Sequence, residues 1–263
     1  RRALEVAAAG GHNMLMVGSP GCGKSMLASR MPGILPSLTF DEAVDITRVH
    51  SVAGTLPEGQ DLVAERPFRA PHHSITAAGM VGNASLRPGE LSLAHHGVLF
   101  LDEVAEFSRS VLELLRGPLE DRKVRLTRAN GTVELPSSVC LVAAANPCPC
   151  GFLGHPTRPC ICTPGKVDAY RQRLSGPLLD RIDLHVWVQP VDAETLASET
   201  HGEDSATVRA RVEAARQRQR RRFAQLEGAE QLQCNAQLTG DLVRQAADPT
   251  PQALQVLSQT LDQ

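Results

Sequence analysis

Gly18-Ser19-Pro20-Gly21-Cys22-Gly23-Lys24-Ser25 decides how the rest of this chain is read. Its spacing is that of the Walker A phosphate loop. Glycines let successive backbone N–H groups curl round phosphate oxygens, and a helix starting near Lys24 adds the positive end of its dipole. In such a loop Lys24 reaches the β- and γ-phosphates and the Ser25 hydroxyl ligates Mg²⁺. The apolar run before it, Met14-Leu15-Met16-Val17, reads as a buried strand. The motif therefore stands between a strand and a helix, where a phosphate loop belongs. ATP and Mg²⁺ are the expected cofactors.

A second buried strand, Val98-Leu99-Phe100-Leu101, ends in Asp102-Glu103. Asp102 is expected beside the metal, and Glu103 can polarise the attacking water. Two acids at a strand end can also be plain surface; the phosphate loop upstream favours the catalytic reading. Asn146 follows a third apolar run, Val139–Ala145. Alone it would be a turn former. Next to a strand carrying Glu103, its amide can orient water near the γ-phosphate. Together these residues predict hydrolysis rather than binding alone.

Working outward, short apolar runs alternate with helical patterns as far as Leu184–Val188, the pattern of an α/β fold with a parallel sheet flanked by helices. Helical stretches include Arg109–Leu119 and Gly176–Asp180. Lys123–Leu135 breaks the rhythm: two alternating runs flank Asn130-Gly131, a hairpin signal. After Pro190 the composition shifts. Asp192 can cap a short helix, Asp204–Leu226 reads as one long Arg-rich helix, and Thr239–Ala247 and Pro251–Leu261 add two more. We therefore expect a nucleotide-binding core over 1–190, with the hairpin at 123–135 and a Cys-rich loop at 147–165, and a partial all-helical lid over 191–263.

The 263 residues carry a formal charge of −2, which excludes a generally basic nucleic-acid coat, so any such contact must come from local patches. No run of about 18 apolar residues suggests a membrane span. Arg1–Ala9 lacks the layout of a signal peptide and reads as the end of an amphipathic helix, so the chain is expected to be cut from a longer one. Seven cysteines without a disulfide framework fit a reduced, cytoplasmic location.

Longer strings carry a resemblance. They are Arg66-Pro67-Phe68-Arg69-Ala70-Pro71-His72-His73, Pro88–Glu103, Asn146-Pro147-Cys148-Pro149-Cys150-Gly151 and Ser175–Leu184. The chain resembles the ComM/YifB group, a magnesium-chelatase-like branch of the AAA+ ATPases, densely over 1–190 and weakly in the helical tail. The resemblance implies a P-loop AAA+ core, a homohexameric ring with ATP sites at subunit boundaries, and DNA processing such as branch migration during natural transformation. It makes Asp102 and Glu103 the Walker B pair, Asn146 sensor 1, and Arg181 an arginine finger reaching the neighbouring subunit's ATP. A guanidinium there spreads charge over the transferring phosphoryl group; pairing with Asp180 or Asp183 is the plainer alternative. The family's Lon-protease-like N-terminal domain is not in this chain, and sensor 2 is expected beyond its end.

Cys148-Pro-Cys150 and Cys160-Ile-Cys162 are two C-x-C pairs nine residues apart. Four thiolates on one loop can close a tetrahedral zinc site, the favoured reading; reduced free thiols and an iron–sulfur cluster stay open. The pairs His72-His73 and His95-His96 suggest structural hydrogen bonding more than a metal. By resemblance the hairpin faces a central pore, where Arg125 and Arg128 could meet DNA phosphates. Arg69 is a second DNA-contact candidate. For each arginine a solvated surface charge is the plain alternative, as it is for the basic segment Arg216–Arg222. The competing function is a chelatase-type ATPase that drives metal insertion through partner subunits.

Overall fold

Met14–Val17 forms β1, the strand from which the phosphate loop leaves. In the computed structural model, which describes residues 1–56, 58–83, 85–128, 131–190, 202–247 and 249–261, it lies inside a five-stranded sheet. β1 pairs in parallel with β6 (Cys140–Ala145) on one side and β7 (Leu184–Trp187) on the other. β6 pairs with β3 (Val98–Leu101), and β3 with the short β2 (Phe68–Arg69). The order is β2-β3-β6-β1-β7, parallel throughout.

Alternate residues of each strand feed opposite faces. Met14 and Met16 join Val98, Phe100, Val142 and Ala144 in one apolar layer. Leu15 joins Leu99, Leu101, Leu141 and Ala143 in the other. Burial on both faces is why β1, β3 and β6 read as unbroken apolar runs.

Helices cover both layers: α1 (Arg2–Gly10), α2 (Lys24–Ser29), α3 (Met31–Ile34), α4 (Phe40–Ala53), α5 (Ala77–Val81), α6 (Glu90–Leu93), α7 (Arg109–Leu114), α8 (Arg116–Asp121), α9 (Pro164–Arg171) and α10 (Gly176–Leu179). α4 opens with a reciprocal capping box, Thr39 Oγ1 accepting the Glu42 N–H at 3.2 Å and Glu42 Oε2 accepting the Thr39 N–H at 3.0 Å. The single helix expected over Arg109–Leu119 is two, α7 and α8, joined at Leu115. Pro118 has no N–H to give the preceding turn, so a continuous ladder is impossible there.

The hairpin is present as β4 (Lys123–Arg128) and β5 (Gly131–Pro136). Gly131, expected in the turn, already pairs with Arg128. Val124 and Leu126 are buried in the layer of Leu15 and Leu99, while Arg125 stands exposed on the other face.

Asp192 lies outside the described residues. Beyond it, α11 (Ser205–Phe223) starts at Asp204, whose carboxylate accepts the Thr207 N–H at 2.7 Å. This helix is not loosely appended. Val212 sits in the layer of Met14 and Met16, Arg216 donates to the Ala8 carbonyl at 2.8 Å, and Gln219 to that of Ala9 at 2.9 Å. These side chains satisfy carbonyls that the end of α1 would otherwise leave bare. α12 (Asp241–Ala247) and α13 (Pro251–Leu261) complete the helical part. Among the described residues no helix is long and apolar enough to cross a membrane.

Candidate nucleotide site and cysteine centre

The phosphate loop, Asp102-Glu103 and Asn146 leave the carboxyl ends of β1, β3 and β6, three neighbouring strands. That edge of an open parallel sheet is where ligands bind. A cavity of about 340 Å³ lies there, lined by Gly21, Lys24, Ser25, Asp102, Glu103 and Asn146 among others. Gly18 is needed at the base: a Cβ on it would lie 2.5 Å from the Val188 carbonyl oxygen and 2.8 Å from Cys22 Sγ. Gly21 and Gly23 adopt positive φ, 79° and 85°, the conformation that turns backbone N–H groups inward.

Lys24 is buried, and its Nζ donates to the carbonyls of Gly18 at 2.7 Å and Ser19 at 3.0 Å and to Asn146 Oδ1 at 3.3 Å. The ammonium is thus already aimed at the loop and at the proposed sensor. Ser25 Oγ donates to Asp102 Oδ2 at 2.6 Å. A hydroxyl and a carboxylate in contact form the oxygen pair that a small hard cation takes beside phosphates. Glu103 stands exposed in the left-handed region, φ 50°, with its N–H bonded to Asp102 Oδ1 at 3.0 Å. A non-glycine residue there is uncommon and stores strain at a working site. Cys22 and Ser19 are buried under the loop, and Pro20 is exposed on it.

Arg181 lies elsewhere. Its carbonyl accepts Asn13 Nδ2 at 2.9 Å, at the start of β1, and its guanidinium holds Glu120 Oε2 at 2.7 and 3.2 Å rather than Asp180 or Asp183. Four strand residues, about 13 Å, separate that edge from the phosphate loop. Asp183 instead pairs with His12 and the Asn13 N–H.

The four loop cysteines converge. Cys148 and Cys150 sulfurs are 3.4 Å apart, and Cys160 Sγ is 3.6 Å from each; Cys162 closes the group. Backbone N–H groups of Phe152 and Ile161 favour the Cys150 thiolate and pull its pKa down to about 6. The Cys160 thiol is pushed up to about 12, because desolvation and the neighbouring Cys150 and Cys148 sulfurs outweigh the favourable Cys162 N–H. Arg158 over the Phe152 ring, at 5.3 Å, folds the intervening turn.

The remaining candidates separate by partner. Arg69 is half-buried and bound at both ends of its fork to Glu90, at 2.6 and 2.7 Å. Arg125 is exposed but bridges Glu134 at 2.9 Å and Asp121 at 3.4 Å. The Arg128 side chain lies outside the described residues. In the basic helix segment, Arg216 and Arg222 are spent on structure, Arg222 bonding Asn235 Oδ1 at 2.6 Å, and Arg218, Arg220 and Arg221 are exposed. His72 bonds Ser74 at 2.8 Å, and His95 accepts the Ser138 N–H at 3.0 Å, the structural use expected of both pairs. Sequence reading missed Asn13, which ties β1 to Leu141 and Arg181, and Glu120, the partner of Arg181. No local pattern marks either.

Residues 1–196 match the family model described as magnesium chelatase, subunit ChlI, and residues 202–263 match its C-terminal counterpart. The chain belongs to the magnesium chelatase ChlI family. Within this family it is similar to YifB of Escherichia coli, 46% identical over 226 residues, covering 84% of this chain and 44% of that protein. Competence protein ComM of Haemophilus influenzae is 44% identical over 229 residues, 86% of this chain and 44% of ComM. An uncharacterized protein of Mycobacterium tuberculosis is 45% identical over all of this chain and 51% of its own length. These likenesses put the chain in the ComM/YifB group of the family. It spans about half the length of the curated relatives it matches. Among solved structures, a complex of the magnesium chelatase subunits BchI and BchD shares the AAA+ fold, with a TM-score of 0.50 and 20% identity over 85% of this chain and 73% of that one.

Proposed function

We propose that this chain is the ATP-hydrolysing core of a ring-forming DNA motor of the ComM/YifB type. The observation that carries the hydrolytic part is the convergence of Lys24, Ser25, Asp102, Glu103 and Asn146 on one cavity at the sheet edge. Lys24 and the loop N–H groups would hold the phosphates, and Ser25 with Asp102 would hold Mg²⁺, which neutralises charge on the β- and γ-oxygens when bound. Glu103 takes a proton from the attacking water, and Asn146 fixes where that water lies.

The position of Arg181, at the opposite edge of β1 from its own phosphate loop, supports a finger that serves a neighbouring subunit. Self-assembly into a hexamer follows from that reading, and the neighbour of known structure is itself part of a complex. Arg125 and Arg128 on the hairpin are the better DNA contacts, since Arg125 stands exposed although bridged to Glu134 and Asp121, whereas Arg69 is half-buried with its fork on Glu90. The four thiols hold structural zinc: tetrahedral Zn–S bonds need sulfurs about 3.8 Å apart, close to the spacing here. Reduced thiols of this kind belong in the cytoplasm.

The test is ATPase rate of the full-length protein with and without single-stranded and forked DNA, beside Glu103→Gln. DNA stimulation in the parent, with rate lost by about 10²-fold or more in the variant, is expected. Turnover that ignores every DNA would overturn the motor and favour a chelatase-type remodeller acting through partner subunits, the reading that the family description favours.

A further inference from the structure

We propose that the cysteine loop braces the phosphate loop, so that zinc on Cys148, Cys150, Cys160 and Cys162 sets the affinity of the nucleotide site. This rests on the zinc reading above and adds a role to it.

The two loops touch. Gly151, in the left-handed region at φ 83°, faces the Pro20 ring so closely that a Cβ would lie 2.6 Å from Pro20 Cδ and 2.8 Å from Cγ. Pro20 is exposed on its outer side, so this contact is its backing. Its ring fixes φ, and pressure on it passes directly into the phosphate-loop backbone. Gly151 is in turn pinned to a thiol residue, its N–H bonding the Cys148 carbonyl at 2.9 Å.

A second link runs through the same residues. Cys148 is fully buried and stands two positions after Asn146, whose Oδ1 receives Lys24 Nζ at 3.3 Å. On the far side, Cys162 leads straight into α9, where Tyr170 faces the Asn146 backbone. The loop thus joins Pro20, Asn146 and α9, yet it has little apolar surface to hold its own shape: Ile161, between two of the cysteines, is 85% exposed. Four metal–sulfur bonds would supply the rigidity that packing does not. Without them the backing of Pro20 and the position of Asn146 both relax.

The experiment uses the full-length protein, zinc content by mass spectrometry, and the Kd of a fluorescent ATP analogue with Mg²⁺. Gly151→Ala keeps all four thiols but puts a methyl against Pro20. Gly154→Ala is its control, with a similar positive φ of 75° in the same loop and nothing within 4 Å of the added Cβ. We expect one zinc per chain in the parent and in both variants, with Kd raised about tenfold in Gly151→Ala alone and in chelator-stripped parent. No zinc in the parent would overturn the zinc reading and the brace with it. Zinc present, with Gly151→Ala binding nucleotide as the parent does, would overturn the brace and leave the zinc site standing. Equal weakening in both glycine variants would also overturn it, since backbone strain would then be the cause. Should Gly151→Ala lose zinc, the stripped parent decides: unchanged Kd there overturns the brace.

Discussion

His95 shows how much one ring can govern. It is buried just before β3, and its Nδ1 accepts the Ser138 N–H just before β6, so it joins the starts of two core strands. That role requires the neutral ring. Desolvation by burial, and then the nearby His96, push its pKa down to about 3. In the unfolded chain the ring protonates near its ordinary value of about 6.5, so below that pH the unfolded state binds more protons and stability falls as pH drops. Between about pH 7.5 and about pH 5.5 the share of His95 alone comes to about 1 kcal/mol. Urea unfolding at both values should show this loss in the parent and a flatter dependence in His95→Asn, whose Oδ1 can replace the acceptor. Identical slopes would refute it. At this scale Lys24, Ser25, Asp102 and Glu103 were legible because their motifs encode a local backbone path. Gly151, Glu120 and Asn13 were not, because what makes each one matter is a partner that only folding brings near: residue 20, residue 181 and residue 141.

At the scale of elements, β1, β3 and β6 read well because burial on both faces leaves unbroken apolar runs, while β7 at the sheet edge exposes His185 and Trp187; every expected core strand is present within a residue. The long helix expected from Asp204 is there, opened by that cap, whereas α4, capped as firmly, was not read from the sequence. Thr39 and Glu42 start α4, and Glu42 also takes Arg66 Nη2 at 3.0 Å, a guanidinium that reaches the Pro36 and His96 carbonyls. Thr39→Ala should therefore cost about 1 kcal/mol of unfolding free energy, measurable in urea, and Thr39→Ser should restore most of it. A cost under a few tenths would mean the cap is idle. The break between α7 and α8 was missed because apolar spacing continues across it while Pro118 interrupts the hydrogen bonds.

At the scale of the whole molecule, the proposed ring makes a prediction that no single site does. Arg181 and Glu103 lie at opposite edges of the sheet, so a subunit lacking one still carries the other. Arg181→Ala and Glu103→Gln proteins should each be nearly inactive, yet mixing them should restore part of the ATPase rate. At some boundaries an intact Glu103 then meets an intact Arg181. Activity no higher than the sum of the two preparations would argue that Arg181 acts within its own chain or only on Glu120.

α11 reaches back across the change in composition near Pro190, fills a socket in the core with Val212, and closes the last carbonyls of α1 with Arg216 and Gln219. α1 leads through Gly11, His12 and Asn13 into β1, so a pull on α11 is felt in the strand that carries the phosphate loop. Treated as a lever, the molecule has a fixed arm that extends past Phe223 to Ala236, whose carbonyl accepts Arg122 Nη2 at 3.3 Å, and any swing of its helical part begins beyond that residue, well downstream of where the composition changes.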